Sequence, residues 1–121
     1  MIGLLCSCST KEMWDEVYAS PSGDFAIGVQ IGDEEDVNNK AEMFFTLLDK
    51  EGDILDKTRT KASAAMNYAI FWYTEKTVTL YSSDIGVKAW LVSKDKKLLP
   101  AEVDSKMDKK AEEVFNKKLG R

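Results

Sequence analysis

The clearest pattern of hydrophobic and polar positions is FAIGVQI, residues 25–31, in which every second residue is large and apolar. Strict alternation of this kind places the apolar side chains on one face of a β-strand. The cluster SPSGD comes directly before it and combines Pro with Gly, which is typical of a turn. The sequence therefore predicts a half-buried strand that follows a tight turn.

A second apolar region, residues 68–92, contains two of the three Trp and three of the four Tyr. Tyr68–Tyr73 is a continuous aromatic and β-branched run, Thr77–Ser82 alternates with period two, and Val87–Val92 is a third run. The short polar breaks between them indicate strands joined by tight turns. Because the first run lacks polar alternation, we expect it at the centre of a sheet, buried on both faces.

The residues between these regions predict further short elements. Ala41–Leu48 has the composition of a strand, and Asp49–Asp53 predicts a hairpin turn that returns the chain along Ile54–Lys57. Two other segments predict single helical turns: Thr10–Glu16, which follows a sequence similar to a capping box, and the small residues of Ala62–Met66.

The last segment predicts an amphipathic helix over Ser105–Leu119, with Ser105 as a suitable N-cap. Its apolar residues recur at helical spacing and form one stripe, namely Met107, Ala111, Val114, Phe115 and Leu119. The polar face carries acidic as well as basic side chains, which favours packing on a sheet over lying on a membrane surface.

Together these elements predict an α+β fold: a single antiparallel β-meander sheet of six to eight strands, with the C-terminal amphipathic helix packed on it. A chain of 121 residues is long enough to bury one core of its own. We assign residues 11–121 to a single domain and residues 1–10 to a signal remnant and tether.

Composition narrows the possible functions. The net charge is −4 and acidic residues predominate before residue 94, which argues against a nucleic-acid partner because phosphate binding needs a concentrated basic surface. The chain has no His, the commonest general base, and both Cys lie in the first eight residues. No apolar run is long enough to span a bilayer. We therefore expect a protein that is not an enzyme and carries no cofactor.

The N-terminal residues Leu5-Cys6-Ser7-Cys8 resemble the lipobox of bacterial lipoprotein signal peptides. The apolar run is shorter than in a full signal peptide, and no Lys or Arg precedes it. The resemblance implies acylation of Cys8 and, with Ser9 next to it, anchoring at the periplasmic face of the outer membrane. The alternative is an N-terminal tail with two incidental thiols. The segment SSDIGVKAW also resembles small uncharacterised bacterial exported proteins, a resemblance that implies no activity.

An acidic segment, GDEEDVNNK at residues 32–40, lies between two predicted strands. Calcium prefers clustered oxygen ligands, but this segment lacks a metal-loop spacing, and the turn at 49–53 also departs from an EF-hand loop. Runs of like charge more often form solvated loops. We therefore expect no metal site and assign a partner-binding role to the acidic side chains Asp33, Glu34, Glu35 and Asp36.

Ser82-Ser83-Asp84 is the most suggestive polar cluster for chemistry. A nucleophilic Ser requires a base and an oxyanion hole, and neither Ser82 nor Ser83 begins an S-x-x-K motif or lies in a G-x-S-x-G motif. The alternative interpretation is that Ser83 and Asp84 cap a turn through hydrogen bonds to the backbone. If a catalytic site exists, Asp84 and a second carboxylate form a hydrolytic pair.

Trp72 and Tyr73 are neighbours in the predicted central strand and therefore point to opposite faces of its sheet. An aromatic patch left uncovered and rimmed by polar groups is typical of a protein contact. We expect a non-catalytic periplasmic binding protein of the inhibitor or immunity type. Its partner would be a protein with a basic surface, contacted through Trp72, Tyr73, Ser83, Asp84 and the acidic segment, and the lipid anchor would be its only membrane contact. The alternatives are an envelope hydrolase with paired carboxylates and a structural envelope lipoprotein.

Overall fold

A computed structural model describes residues 14–32 and 42–120 of the chain. Within these ranges the chain forms eight β-strands and one helix. They are β1 (Glu16–Ala19), β2 (Phe25–Ile31), β3 (Glu42–Asp49), β4 (Ile54–Ser63), β5 (Tyr68–Thr74), β6 (Thr77–Ser82), β7 (Gly86–Val92), β8 (Leu98–Ala101) and α1 (Ser105–Lys118). The predicted α+β class and the C-terminal helix are confirmed.

The strands form two four-stranded antiparallel sheets, β1-β2-β3-β4 and β5-β6-β7-β8, so the predicted single sheet is wrong. Each sheet follows chain order, as the meander prediction requires. A period-two pattern shows which side chains share a face, but it carries no information on whether β5 lies beside β4 or starts another sheet. A turn at residues 64–67 separates them here, and the second sheet packs over the first.

The hydrophobic core lies between the inner faces of the two sheets. The strict alternation of residues 25–31 serves this core, because Ile27 and Val29 are completely buried in it. Phe45 of β3 meets Trp90 of β7 edge to face across the core, with ring centroids 5.1 Å apart. Apolar side chains from seven of the strands therefore fill one shared interior.

Helix α1 covers part of the outer face of the second sheet, over β5 and β6. Met107, Ala111 and Phe115 are its buried residues, and the Phe115 ring stacks on Tyr81 of β6 with centroids 4.3 Å apart. The N-cap is Asp104, whose carboxylate accepts a hydrogen bond of 2.8 Å from the Met107 backbone, and the predicted N-cap Ser105 is the first helical residue instead.

Strand β5 lies at an edge of its sheet, so the predicted central position of Tyr68–Tyr73 is wrong. Its apolar character has another cause. One face of β5 points into the core through Ile70, and the other face lies under α1. Layers above and below the strand therefore cover both of its faces, although β6 is its only partner within the sheet.

The two predicted helical turns are wrong where the structure describes them. Glu16 begins β1, and Ala62 and Ser63 are the last residues of β4. The part of Thr10–Glu16 before Trp14 lies outside the described residues. The small residues at the end of β4 favour a helical turn locally, but pairing with β3 through a β-bulge holds Ala62 and Ser63 in the strand.

That bulge places two extra residues in β4, between the pairs Phe44–Arg59 and Glu42–Ser63. The Thr60 hydroxyl donates to the Met43 carbonyl at 2.8 Å and accepts from the Ala62 N–H at 3.1 Å. Side-chain hydrogen bonds thus replace the interrupted ladder.

Candidate functional site

Trp72, a predicted partner-binding residue, links the two sheets. Its indole Nε1 donates a hydrogen bond of 2.8 Å to the Tyr18 carbonyl of β1, and its ring packs against the core. β1 and β5 are the edge strands of their sheets on the same side of the molecule. Tyr73, the adjacent predicted residue, is half-buried. Trp72 therefore has a structural role as a contact between the two sheets.

Glu16 completes this junction between β1 and β5. Its carboxylate accepts hydrogen bonds from the hydroxyls of Tyr18, at 2.5 Å, and Tyr68, at 3.1 Å. Burial, with a contribution from the Glu16 charge, raises the pKa of Tyr68 to about 12 and also raises the pKa of Tyr18. Both phenols remain neutral donors at physiological pH, which suits a structural contact.

Ser83 and Asp84 lie in the β6–β7 turn, and both form hydrogen bonds to the backbone at the β4–β5 connection. The Asp84 carboxylate accepts a hydrogen bond of 3.1 Å from the Ser63 backbone and another from the Ser82 hydroxyl. The Ser83 N–H donates to the Asn67 carbonyl at 3.0 Å. Asp84 thus joins the end of β4 to the β6–β7 turn through a side-chain-to-backbone hydrogen bond between distant segments, and Ser83 takes part through its backbone alone.

The remaining predicted site residues, Cys8 and Asp33, Glu34, Glu35 and Asp36, lie outside the described residues. Among residues 14–32 and 42–120, no group of three or more His, Cys, Asp or Glu side chains has the proximity needed for a metal ion. Within the same ranges, no helix has the length and apolar character that a membrane crossing requires.

One surface that the sequence analysis missed is an acidic tip, made of Asp24 in the β1–β2 turn and of Asp49, Glu51 and Asp53 at the β3–β4 turn. Antiparallel pairing places Phe25 opposite Asp49, which brings the β1–β2 and β3–β4 turns side by side. Between them is a cleft of about 320 Å³, lined by Asp24, Asp49 and Glu51. Ile54, the first residue after the β3–β4 turn, is 58 % exposed, the highest value among the large apolar side chains of the described residues.

The acidic tip is held by its own backbone. The Asp49 carboxylate accepts hydrogen bonds of 2.9 Å from the N–H groups of both Glu51 and Asp53. Lys50 and Lys96 also line the cleft, so its negative charge is partly balanced. The sequence correctly predicted the hairpin turn, but the proximity of Asp24 depends on the register of β2 and β3.

A second surface that was missed is the basic edge of β4. Lys57, Arg59 and Lys61 alternate along DKTRTK, and this period-two charge pattern was the available signal. Arg59 forms a bidentate pair with Glu42, with Nη2–Oε1 2.7 Å and Nε–Oε2 3.1 Å. Hydrogen bonds from Arg59 lower the pKa of Glu42 despite its burial, so this pair persists as an ion pair.

Comparisons of the chain with protein-family models, with curated proteins and with solved structures found no match. The class of protein that the described residues define is therefore architectural: two packed antiparallel sheets with a helix on the outer face of the second. Any function has to be argued from the surfaces of the chain itself.

Proposed function

We propose that this chain is a non-catalytic binding protein of the bacterial cell envelope that acts by contact with another protein. The observation that carries the proposal is the acidic tip, whose carboxylates Asp24, Asp49 and Glu51 line a cleft, together with the strongly exposed side chain of Ile54, which comes directly after the β3–β4 turn. An apolar anchor inside a polar rim is the usual anatomy of a protein–protein contact.

Charge supports a partner with a basic surface. The acidic tip adds local negative potential to a chain whose net charge is −4, and complementary potentials speed up the encounter of two proteins. The tip is also preorganised, because Asp49 fixes the β3–β4 turn through two backbone hydrogen bonds. A fixed loop loses little entropy on binding.

Asp84 and Trp72 take part differently from what the sequence suggested. Their polar atoms hold the fold together, with Trp72 bonded to β1 and Asp84 bonded to β4. We accordingly assign the contact to the acidic tip, with the acidic segment Asp33–Asp36 as a second contact region. The inhibitor or immunity type remains the form of binding protein that we propose.

The test is co-purification from a bacterial envelope extract, followed by binding of the purified partner at low and high salt. We expect one salt-sensitive partner that is lost in the double variant Glu51→Lys/Asp53→Lys and weakened in Ile54→Ser. The matched control is Glu112→Lys/Glu113→Lys, which reverses two exposed carboxylates on α1 and should leave binding intact. Equal loss of binding in both double variants would show that net charge, and not the acidic tip, determines the interaction.

A catalytic result would overturn the proposal. Turnover of a peptidoglycan or glycan substrate that disappears in Asp84→Asn, in a variant that remains folded, would favour the envelope hydrolase.

The lipid anchor is a separate part of the proposal and rests on the lipobox resemblance at Cys8. Palmitate labelling of the expressed precursor should give a labelled protein in the outer-membrane fraction. Label that persists in Cys8→Ser would refute attachment at this residue.

A further inference from the structure

A groove opens on the side of the molecule where β4 faces β7 and β8. β4 has ten residues and β8 only four, and β8 ends at Ala101 opposite Ala89. The beginning of β7 therefore extends past the end of β8. Above the groove, the Asp56 carboxylate accepts a hydrogen bond of 2.7 Å from the Leu98 N–H and closes this side.

The groove has an apolar floor and a basic rim. Its volume is about 360 Å³, within the range of roughly 300–1,000 Å³ that is common for small-molecule sites. Val87, Pro100 and Val103 contribute apolar surface beside the buried Trp90, and Arg59, Lys61 and Lys88 contribute positive charge from both sheets. Arg59 is already paired with Glu42, so Lys61 and Lys88 are the cations that the proposal uses.

Lys61 occupies an unusual backbone position. Its φ is +65°, in the left-handed region that costs a residue with a side chain roughly 1–2 kcal/mol relative to ordinary helical geometry. The Glu42 carboxylate accepts a 3.0 Å hydrogen bond from the Lys61 N–H and so helps to hold this conformation. Glycine is the residue that such a position favours, yet the chain carries a lysine on the rim of the groove. Strain at a bulge often accompanies a functional side chain.

We propose that this groove binds a small amphiphilic anion, with its carboxylate or phosphate head between Lys61 and Lys88 and its short aliphatic tail over Pro100 and Val103, beside the edge of Trp90. A head group alone would find two exposed ammonium groups, whose attraction in water is weak. The tail adds apolar burial against the floor, so both parts are required. This site is separate from the acidic tip, and its failure would leave the proposed function intact.

The probes are decanoate and decyl phosphate, which differ in head group and share the tail. Decanol tests the tail without charge, and acetate and inorganic phosphate test the head without tail. Binding is followed by calorimetry below the micelle concentration and by the indole N–H signals in nitrogen-15 NMR. We expect saturable binding of at least one amphiphilic anion and a shift of the Trp90 indole signal, with little change at Trp14 and Trp72.

Two variants test the role of the rim. Lys61→Gly should weaken binding roughly tenfold, the effect expected for one charge-assisted contact, while the melting temperature stays equal or rises because the backbone strain is relieved. Lys88→Gln should weaken binding comparably by removing the second cation. The control is Lys96→Gly, which makes the same change at φ +61° in the β7–β8 turn, outside the groove, and should leave the affinity unchanged.

The proposal would be overturned by decanol binding as tightly as decanoate, by unchanged affinity in Lys61→Gly and Lys88→Gln, or by ligand-induced shifts at Trp14 or Trp72 instead of Trp90. Equal binding of acetate or inorganic phosphate would also overturn it, because it would reduce the site to a simple anion site without a tail subsite.

Discussion

Gly28 in the middle of β2 lies directly beneath the indole of Trp14. A Cβ atom added at Gly28 would meet Trp14 Cδ2 at 2.6 Å and Cε3 at 2.9 Å, both closer than non-bonded carbon atoms approach. Trp14 is only 7 % exposed, so its ring has little room to move away. The predicted perturbation is therefore Gly28→Ala, which adds one methyl group to a tightly packed contact.

Two opposing terms set the size of the effect. Overpacking a tight site costs typically about 1–3 kcal/mol. Replacing Gly by Ala within a strand recovers roughly 0.5–1 kcal/mol, because Gly loses more backbone entropy on folding. We expect Gly28→Ala to lower the free energy of unfolding by about 1–2 kcal/mol, measured by urea unfolding with circular dichroism.

A double-mutant cycle with Trp14→Leu tests the cause. Once the fused ring is gone, the added methyl group no longer collides, and Gly28→Ala should become neutral or stabilising in that background. Gly23→Ala is the matched control: its φ is +83° and an added Cβ meets nothing within 4 Å, so its cost is backbone strain and should be the same with or without Trp14. Equal destabilisation by Gly28→Ala in both backgrounds would refute the packing argument.

Three further predictions concern the contacts between the sheets. Trp72→Phe removes the hydrogen bond to Tyr18 and should cost about 1–2 kcal/mol in urea unfolding, whereas Tyr73→Phe should change stability by less than about 0.5 kcal/mol. Asp84→Ala leaves the buried Ser82 hydroxyl and the Ser63 N–H without this acceptor and should cost about 1–3 kcal/mol, while partner capture by the folded variant stays unchanged. Alkaline pH should destabilise the protein: the unfolded tyrosines deprotonate near their ordinary pKa of 10.0, before Tyr68 with its folded-state pKa of about 12, so stability falls as the pH rises above about 10. Tyr68→Phe should flatten that part of the stability profile, and an unchanged slope in the variant would contradict the assignment.

Local pattern was sufficient for most strands and for the helix. Strict alternation at residues 25–31 and the apolar stripe of residues 107–119 each indicate one buried face, and both elements formed as predicted: Ile27 and Val29 face the core, and the helix packs on the outer face of the second sheet. The bulge in β4 was beyond the reach of pattern, because Thr60 replaces backbone pairing through a hydroxyl bond to Met43 in another strand. The number of sheets was equally inaccessible, since it depends on the path of the turn after Ser63.

The candidate site was less predictable than the fold. Trp72 and Asp84 stood out in the sequence because both can bind a partner: Trp72 has a large apolar ring with one N–H donor, and Asp84 has a carboxylate on a short side chain. The same properties suit them to closing an interface between sheets, where buried polar groups need partners. The acidic tip and the groove depend on residues far apart in sequence: Asp24 meets Asp49 through register, and Lys61 reaches the groove next to Lys88 through sheet packing.

The two-sheet architecture explains why polar groups such as those of Trp72 and Asp84 are used for contacts between the sheets. Two stacked sheets have open edges on both sides, and unpaired polar groups at such edges invite association with other chains. In this molecule Trp72 bonds to Tyr18 on one side, Asp56 bonds to Leu98 on the other, and Glu75 joins the β5–β6 turn to Ser20 at 2.8 Å. Function is then best sought at surfaces that combine charged side chains with exposed apolar ones and close no edge, and among the described residues we assign it to the acidic tip and the β4–β8 groove.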